Sequence, residues 1–194
     1  MANRDKIMSL LNSTGRKGIV ELTLFMAIHG FYEAPCSSKY HLAKEGGLAE
    51  HSLNVYETMT KMNEALNAGV DENSIKITGL LHDIGKMGLN GEPYYVPAYE
   101  EKNLIVSGQV VRTEKIPTGG FGRNKKLLNI RHEFISVTTI SQYMDLTIDE
   151  YNAILYHNGL YTPAGQDIKG KETPLYLLLH SADMWAARVI ERGK

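Results

Sequence analysis

The dipeptide His82-Asp83 lies in the run Gly79-Leu-Leu-His-Asp-Ile-Gly-Lys86, among residues that belong in a core. An ionised aspartate buried there costs several kcal/mol unless something compensates its charge. Any fold of this chain must bring that compensation to Asp83. His51 precedes the pair on one apolar helical pattern, and Asp183 follows it on another. Imidazole and carboxylate both ligate divalent cations, and a carboxylate can bridge two of them. Separate helices that each turn one ligand inward can therefore build a cage around an ion. His51, His82, Asp83 and Asp183 are read as that ligand set.

The strong periods along the chain are helical. Asn3 caps a short helix through Leu11, and a second runs from about Lys17 to Ile28, with His29 and Gly30 at its end. Leu48, Val55, Met59, Met62 and Leu66 recur at spacings of three, four and seven, and His51 falls on the same stripe, so it points inward. Asp71 or Ser74 caps the next helix, whose Ile75, Ile77, Leu80, Leu81 and Ile84 lie on more than one side, as in a central helix. Gly85 and Gly88 help to end it. Arg131 to Met144 reads as a helix, and Thr147-Ile-Asp-Glu150 is a capping box opening a helix that reaches His157. The last helix begins with Thr173 as cap and Pro174 at its first position, and carries Asp183 four residues past Leu179.

Between Glu92 and Asn129 the helical period disappears. Tyr94-Tyr-Val-Pro97 and Leu104 to Val111 are rich in β-branched and aromatic residues, which admits one irregular β-hairpin around 94–118, with Pro117-Thr-Gly-Gly120 as a flexible connection. This segment is a candidate lid. Its bases Lys102, Arg112, Lys115, Arg123, Lys125, Lys126 and Arg131 face only Glu114 as an acid, an excess that suits an anionic substrate or a solvated loop.

Length and composition indicate one domain over residues 1–194, with an N-terminal helical extension to about 37 and a core over about 38–190. At 43% hydrophobic content the chain buries a good core, and no second composition regime appears. The single cysteine, Cys36, excludes an internal disulfide, and no apolar stretch is long enough for a helical membrane span. The N-terminus lacks the pattern of a signal peptide, so a soluble, cytoplasmic protein is expected. A net charge of −1 excludes a globally basic nucleic-acid binder.

The order His51, His82-Asp83, Asp183 resembles the HD-domain superfamily of metal-dependent phosphohydrolases. Gly46-Gly-Leu-Ala-Glu-His51-Ser-Leu and Leu-Leu-His82-Asp-Ile-Gly-Lys86 look most like the HD domain of YhaM-type 3′–5′ exoribonucleases. The resemblance implies an all-α helical bundle and one or two divalent ions (Mn, Mg, Fe, Co, Ni or Zn). His132 and His157 stand where binuclear relatives place ligands for a second metal, or serve as ordinary helix histidines. Many such relatives have a His-His pair where this chain has His157-Asn158.

The expected activity is hydrolysis of a phosphoester or phosphoanhydride in a phosphorylated small molecule, with a nucleotide first among candidates. Asp83 is the natural bridge between two metals, and Lys86 and Arg131 would offset charge on the phosphate. Exonuclease action on nucleic-acid ends is an alternative, although relatives of that type use a further nucleic-acid-binding domain that 194 residues do not accommodate. A di-iron HD oxygenase and a non-catalytic nucleotide sensor are the other two. His180 either orients Asp183 or packs, and His41 could line an entrance. Glu50 supports His51 or is a surface charge; Tyr94, Tyr95, Tyr99 and Tyr161 either stack a base or pack loops.

Overall fold

The computed structural model describes residues 2–107, 109–127 and 129–193. Seven α-helices and one antiparallel pair of strands account for most of them: α1 (Ala2–Asn12), α2 (Ile19–Ile28), α3 (Gly47–Leu66), α4 (Glu72–Leu81), β1 (Tyr95–Val106), β2 (Gln109–Arg123), α5 (His132–Ser141), α6 (Ile148–Tyr156) and α7 (Pro174–Trp185). A 3-10 turn, Ile84–Met87, follows α4, and a π turn, Ala186–Ile190, follows α7. The fold is mostly helical with a small two-stranded sheet, in line with the periodicities. No helix among the described residues is long and apolar enough to cross a membrane.

Capping chemistry sets several helix starts. Asp71 accepts a hydrogen bond from Ser74 N at 3.0 Å, and Thr147 and Glu150 form the expected reciprocal box at 3.1 and 2.8 Å. Glu150 also takes both nitrogens of the Arg16 guanidinium at 3.1 and 2.9 Å and the Ser74 hydroxyl at 2.9 Å, so one buried carboxylate ties the α1–α2 connection and α4 to α6. Helix α2 starts at Ile19, two residues later than its apolar pattern suggests, because Gly18 before it adopts φ 83°.

Helix α3 lies between two apolar clusters. On one side Leu48, Ala49 and Leu53 pack with Ile7 and Leu11 of α1, Leu22 and Met26 of α2, and Ile77, Leu80 and Leu81 of α4. On the other, Val55 and Met59 meet Leu175, Leu178, Leu179 and Ala182 of α7. The N-terminal helices thus share the core of the ligand-bearing ones. Truncating a side chain such as Leu80 to alanine would cost about 2–5 kcal/mol.

The hairpin is longer than its sequence suggests, and its outer part stands exposed. Residues 99–105 and 109–115 are exposed, and Val106 pairs with Gln109; Gly108 lies outside the described residues. Leu104 to Val111 spans that pair rather than forming one strand. Pro117-Thr-Gly-Gly120 is not a flexible connection: the register passes from Tyr99↔Pro117 to Pro97↔Phe121, so the glycines form a bulge inside β2. With charged and apolar residues on both faces, the outer hairpin has no single apolar side to lay on the helices. Only its base docks, through Phe121 N to Ser38 O at 2.9 Å and the Arg123 guanidinium 3.3 Å from the Tyr94 ring centre.

Candidate metal centre

Five helices, each near one of its ends, converge on the site around Asp83. His51 projects from the second turn of α3, and His82 closes α4. His132 opens α5, His157 closes α6, and Asp183 lies on α7. Gly85 is what lets His132 come so near. A Cβ on Gly85 would stand 2.2 Å from the His132 carbonyl oxygen, so only glycine lets α5 start against the 3-10 turn after Asp83.

The donors divide between the two oxygens of Asp83. Oδ2 lies 3.5 Å from His82 Nε2 and 3.7 Å from His51 Nε2, and His51 Nε2 is 3.1 Å from Asp183 Oδ1. Oδ1 lies 3.0 Å from His132 Nε2 and 3.5 Å from His157 Nε2, and those two nitrogens are 3.4 Å apart. The ligand atoms of His51, His82 and Asp83 lie within 4.8 Å of one another, as do those of Asp83, His132 and His157, and those of His82, His157 and Asp183.

The far nitrogens are already engaged. Nδ1 of His82 donates to Gly79 O at 3.1 Å and Nδ1 of His157 to Ile154 O at 2.7 Å. His51 Nδ1 is 3.0 Å from both oxygens of Glu191, and His132 Nδ1 is 3.2 Å from Glu133 Oε2. Each contact turns the ring so that Nε2 faces Asp83, the arrangement that metal-binding histidines adopt. His51 Nε2, His82 Nε2 and Asp83 Oδ1 are buried, and no aligned hydrogen-bond partner reaches them among the described residues. Orphaned buried donors of this kind are costly without a cation, and nitrogen with carboxylate oxygen suits a divalent one. The residues fit a metal centre.

Electrostatics agree with the geometry. Burial raises Asp83, but Lys86, His82 and His132 outweigh it and hold the carboxyl well below its usual range. Burial lowers His82 and His132, favouring neutral rings. His51 goes the other way: burial pushes it down, yet the Cys36 thiolate and the carboxylates of Asp183 and Glu191 hold it well above an ordinary histidine. Burial also pushes the Cys36 thiol up, while His51, Lys86 and a 3.4 Å contact to His41 bring it down to about 7. Lys86 places its ammonium 2.5 Å from Asp83 Oδ2.

The family model of the HD domain matches residues 48–184, well over half of the chain. The chain belongs to the HD-domain family. No curated protein and no solved structure matches it. HD domains are in general metal-dependent phosphohydrolases that bind divalent ions. The site of this HD domain brings together all six residues expected as ligands and Lys86. Arg131, expected to meet phosphate, instead bonds Glu133 through Nε at 2.8 Å and through Nη2, because that buried carboxylate beside His132 has the nearer claim. His180 donates Nδ1–H to His157 O at 2.7 Å rather than orienting Asp183. Glu50 pairs with Lys44 on the surface at 2.8 Å.

Sequence reading misses three supporting residues. Asn54 stands three residues after His51 and donates to Glu191 Oε1 at 2.9 Å; that spacing is a usable signal. Glu133 adjoins His132. Glu191 lies beyond the matched segment and past a π turn, so α-helical spacing does not place it.

A cavity of about 300 Å³ opens beside the centre, lined by His41, Lys86, His157, Asn158, Tyr161 and Asp183 among others. A separate groove of about 470 Å³ between α2 and the loop before β1 reaches Lys86 from the other side.

Proposed function

We propose that this HD domain hydrolyses a phosphoester or phosphoanhydride of a nucleotide-like substrate, with one divalent ion held on each side of Asp83. The observation that carries this reading is the split of histidine Nε2 atoms between the two oxygens of one buried carboxylate, with His51 and His82 lacking any hydrogen-bond partner at that nitrogen among the described residues. His51, His82 and Asp183 would hold one ion with Asp83; His132 and His157 would hold the other. A bound divalent ion supplies Lewis acidity and a water of lowered pKa.

The chain's own groups do the rest. Asp83 stays a carboxylate throughout the neutral range, because Lys86 and the histidines hold its pKa down. Lys86, nearly buried and lining the cavity, offers a fixed positive charge to the phosphate at low effective dielectric. The carbonyls of Gly79 and Ile154 and the carboxylates of Glu191 and Glu133 hold the four rings in place. Arg131 acts one step away, as the residue that positions Glu133. No serine or cysteine nucleophile is required.

The test is a screen of metal-loaded protein against nucleoside mono-, di- and triphosphates, cyclic dinucleotides and short RNA, following phosphate and nucleotide products. Turnover that disappears with chelator and in Asp83→Ala is expected. Iron-dependent oxygen consumption without phosphate release would instead indicate an oxygenase, and tight nucleotide binding without turnover a sensor; either result overturns the proposal.

A further inference from the structure

The cations near the metal centre differ in what already neutralises them. Lys86 rests on Asp83, and Arg131 rests on Glu133. Arg188, on the π turn after α7, lines the same cavity as Lys86, His157 and Asp183, and among the described residues no carboxylate pairs with it. Its guanidinium instead lies over the ring of Tyr161, 5.6 Å from the centroid. Tyr161 sits on the 3-10 turn Gly159–Tyr161 and is 70% exposed, so the contacting pair lines the solvent-facing part of the cavity.

The cavity therefore carries a graded set of positive groups. Among the described residues Asp183 is its one lining carboxylate, and that residue faces His51. Lys86 stands at the inner end beside Asp83, and the exposed Arg188 has no carboxylate partner among the described residues. An anionic chain leaving the metal centre would meet Lys86 first and Arg188 second. At about 300 Å³ the space suits a narrow group rather than a folded macromolecule. A guanidinium is well matched to phosphate oxygens, and an aromatic face beneath it limits the rotamers it must give up on binding.

We infer that Arg188, held by Tyr161, binds a second phosphate of the substrate, beyond the phosphate at the metal centre, and so selects a nucleoside di- or triphosphate over a monophosphate. The inference rests on the phosphohydrolase reading above and names its substrate class. Arg188 lies outside the segment matched by the family model, so its role is a property of this chain's own C-terminal turn.

The experiment compares manganese-loaded wild type, Arg188→Gln and Arg188→Lys with ATP and AMP as substrates. Arg188→Gln should raise KM for ATP about tenfold, the scale of one lost charge-assisted hydrogen bond, and raise KM for AMP by less than about twofold. Arg188→Lys should recover part of the loss. Tyr161→Ala should raise KM for ATP by about threefold while Tyr161→Phe, which keeps the ring face, does not. Arg112→Gln on the outer hairpin is the control for general charge loss. Calorimetry with the imido analogue of ATP gives the same comparison without turnover. Equal effects on ATP and AMP, or none, would overturn the inference, as would a preference for a short oligonucleotide over ATP. Failure of the phosphohydrolase reading looks different: the imido analogue still binds in an Arg188-dependent way, but neither nucleotides nor bis(4-nitrophenyl) phosphate are cleaved.

Discussion

Both carboxylate oxygens of Glu191 lie 3.0 Å from His51 Nδ1, behind the ring face that looks into the metal centre. Asn54 holds the same carboxylate at 2.9 Å. Glu191 thereby fixes which nitrogen of His51 faces Asp83 and makes that nitrogen a stronger donor. Glu191→Ala should weaken manganese binding by about 10–100-fold, with Glu191→Gln intermediate because its amide oxygen still accepts from Nδ1–H. Competition with a metal indicator measures this directly; unchanged affinity in Glu191→Ala would remove the positioning role.

In the proposed centre Asp83 would be a bridge, and it is already the counter-ion of Lys86. Asp83→Ala should abolish turnover and also leave the Lys86 ammonium without its carboxylate at a nearly buried position. Breaking a buried pair from one side costs about 3–5 kcal/mol, so urea unfolding of the metal-free protein should show a loss at the lower end of that range. Circular dichroism should show helix content preserved. A near wild-type rate at saturating substrate would contradict the mechanism.

The raised pKa of His51 has a sign that calorimetry can read. The upward direction favours a metal-free His51 that keeps both ring protons, and a cation on Nε2 must displace one. Binding should release a proton at pH 7, and affinity should climb with pH until the solution passes the raised pKa. Titrations in buffers of different ionisation enthalpy give the proton count; uptake instead of release would refute it. The depressed carboxyls act in the opposite range. Asp83 and Asp183 stabilise the metal-free fold above the unfolded carboxylate pKa of about 4, and that stability is lost as pH falls toward their folded values.

The outer hairpin should be dispensable for the centre. Replacing residues 100–116 by an Asn-Gly turn between Tyr99 and Pro117, which already face each other in the ladder, should leave manganese affinity within about twofold and the melting temperature nearly unchanged. Loss of metal binding on this truncation would mean that the arm supports the site after all.

Much of the fold could be read from local signals. Thr147, Glu150, Thr173 and Pro174 carry their own stereochemical instructions, and His51 lies on an apolar stripe whose direction follows from spacing alone. The convergence of His51, His82 and Asp183 on Asp83 is legible because a buried aspartate demands compensation, whereas His132 and His157 enter only through the resemblance to binuclear relatives. What escaped has a physical cause in each case. In an unbroken α-helix residue 191 would lie about 80° around from Asp183, and the extra residue of the π turn brings Glu191 back to that face. Charge and adjacency point Arg131 toward phosphate, whereas its partner is the buried carboxylate of Glu133, two residues away. The glycines of β2 resemble a loop locally, and only the pairing with Pro97 and Tyr99 makes them a bulge.

Anomalous diffraction from crystals grown with manganese and without chelator tests the metal centre most directly. Two peaks are expected, one on each side of Asp83, the first bounded by His51, His82 and Asp183 and the second by His132 and His157. A single peak with His132 and His157 turned away would reduce the centre to one ion, and no peak at Asp83 would contradict the carboxylate-bridged site altogether.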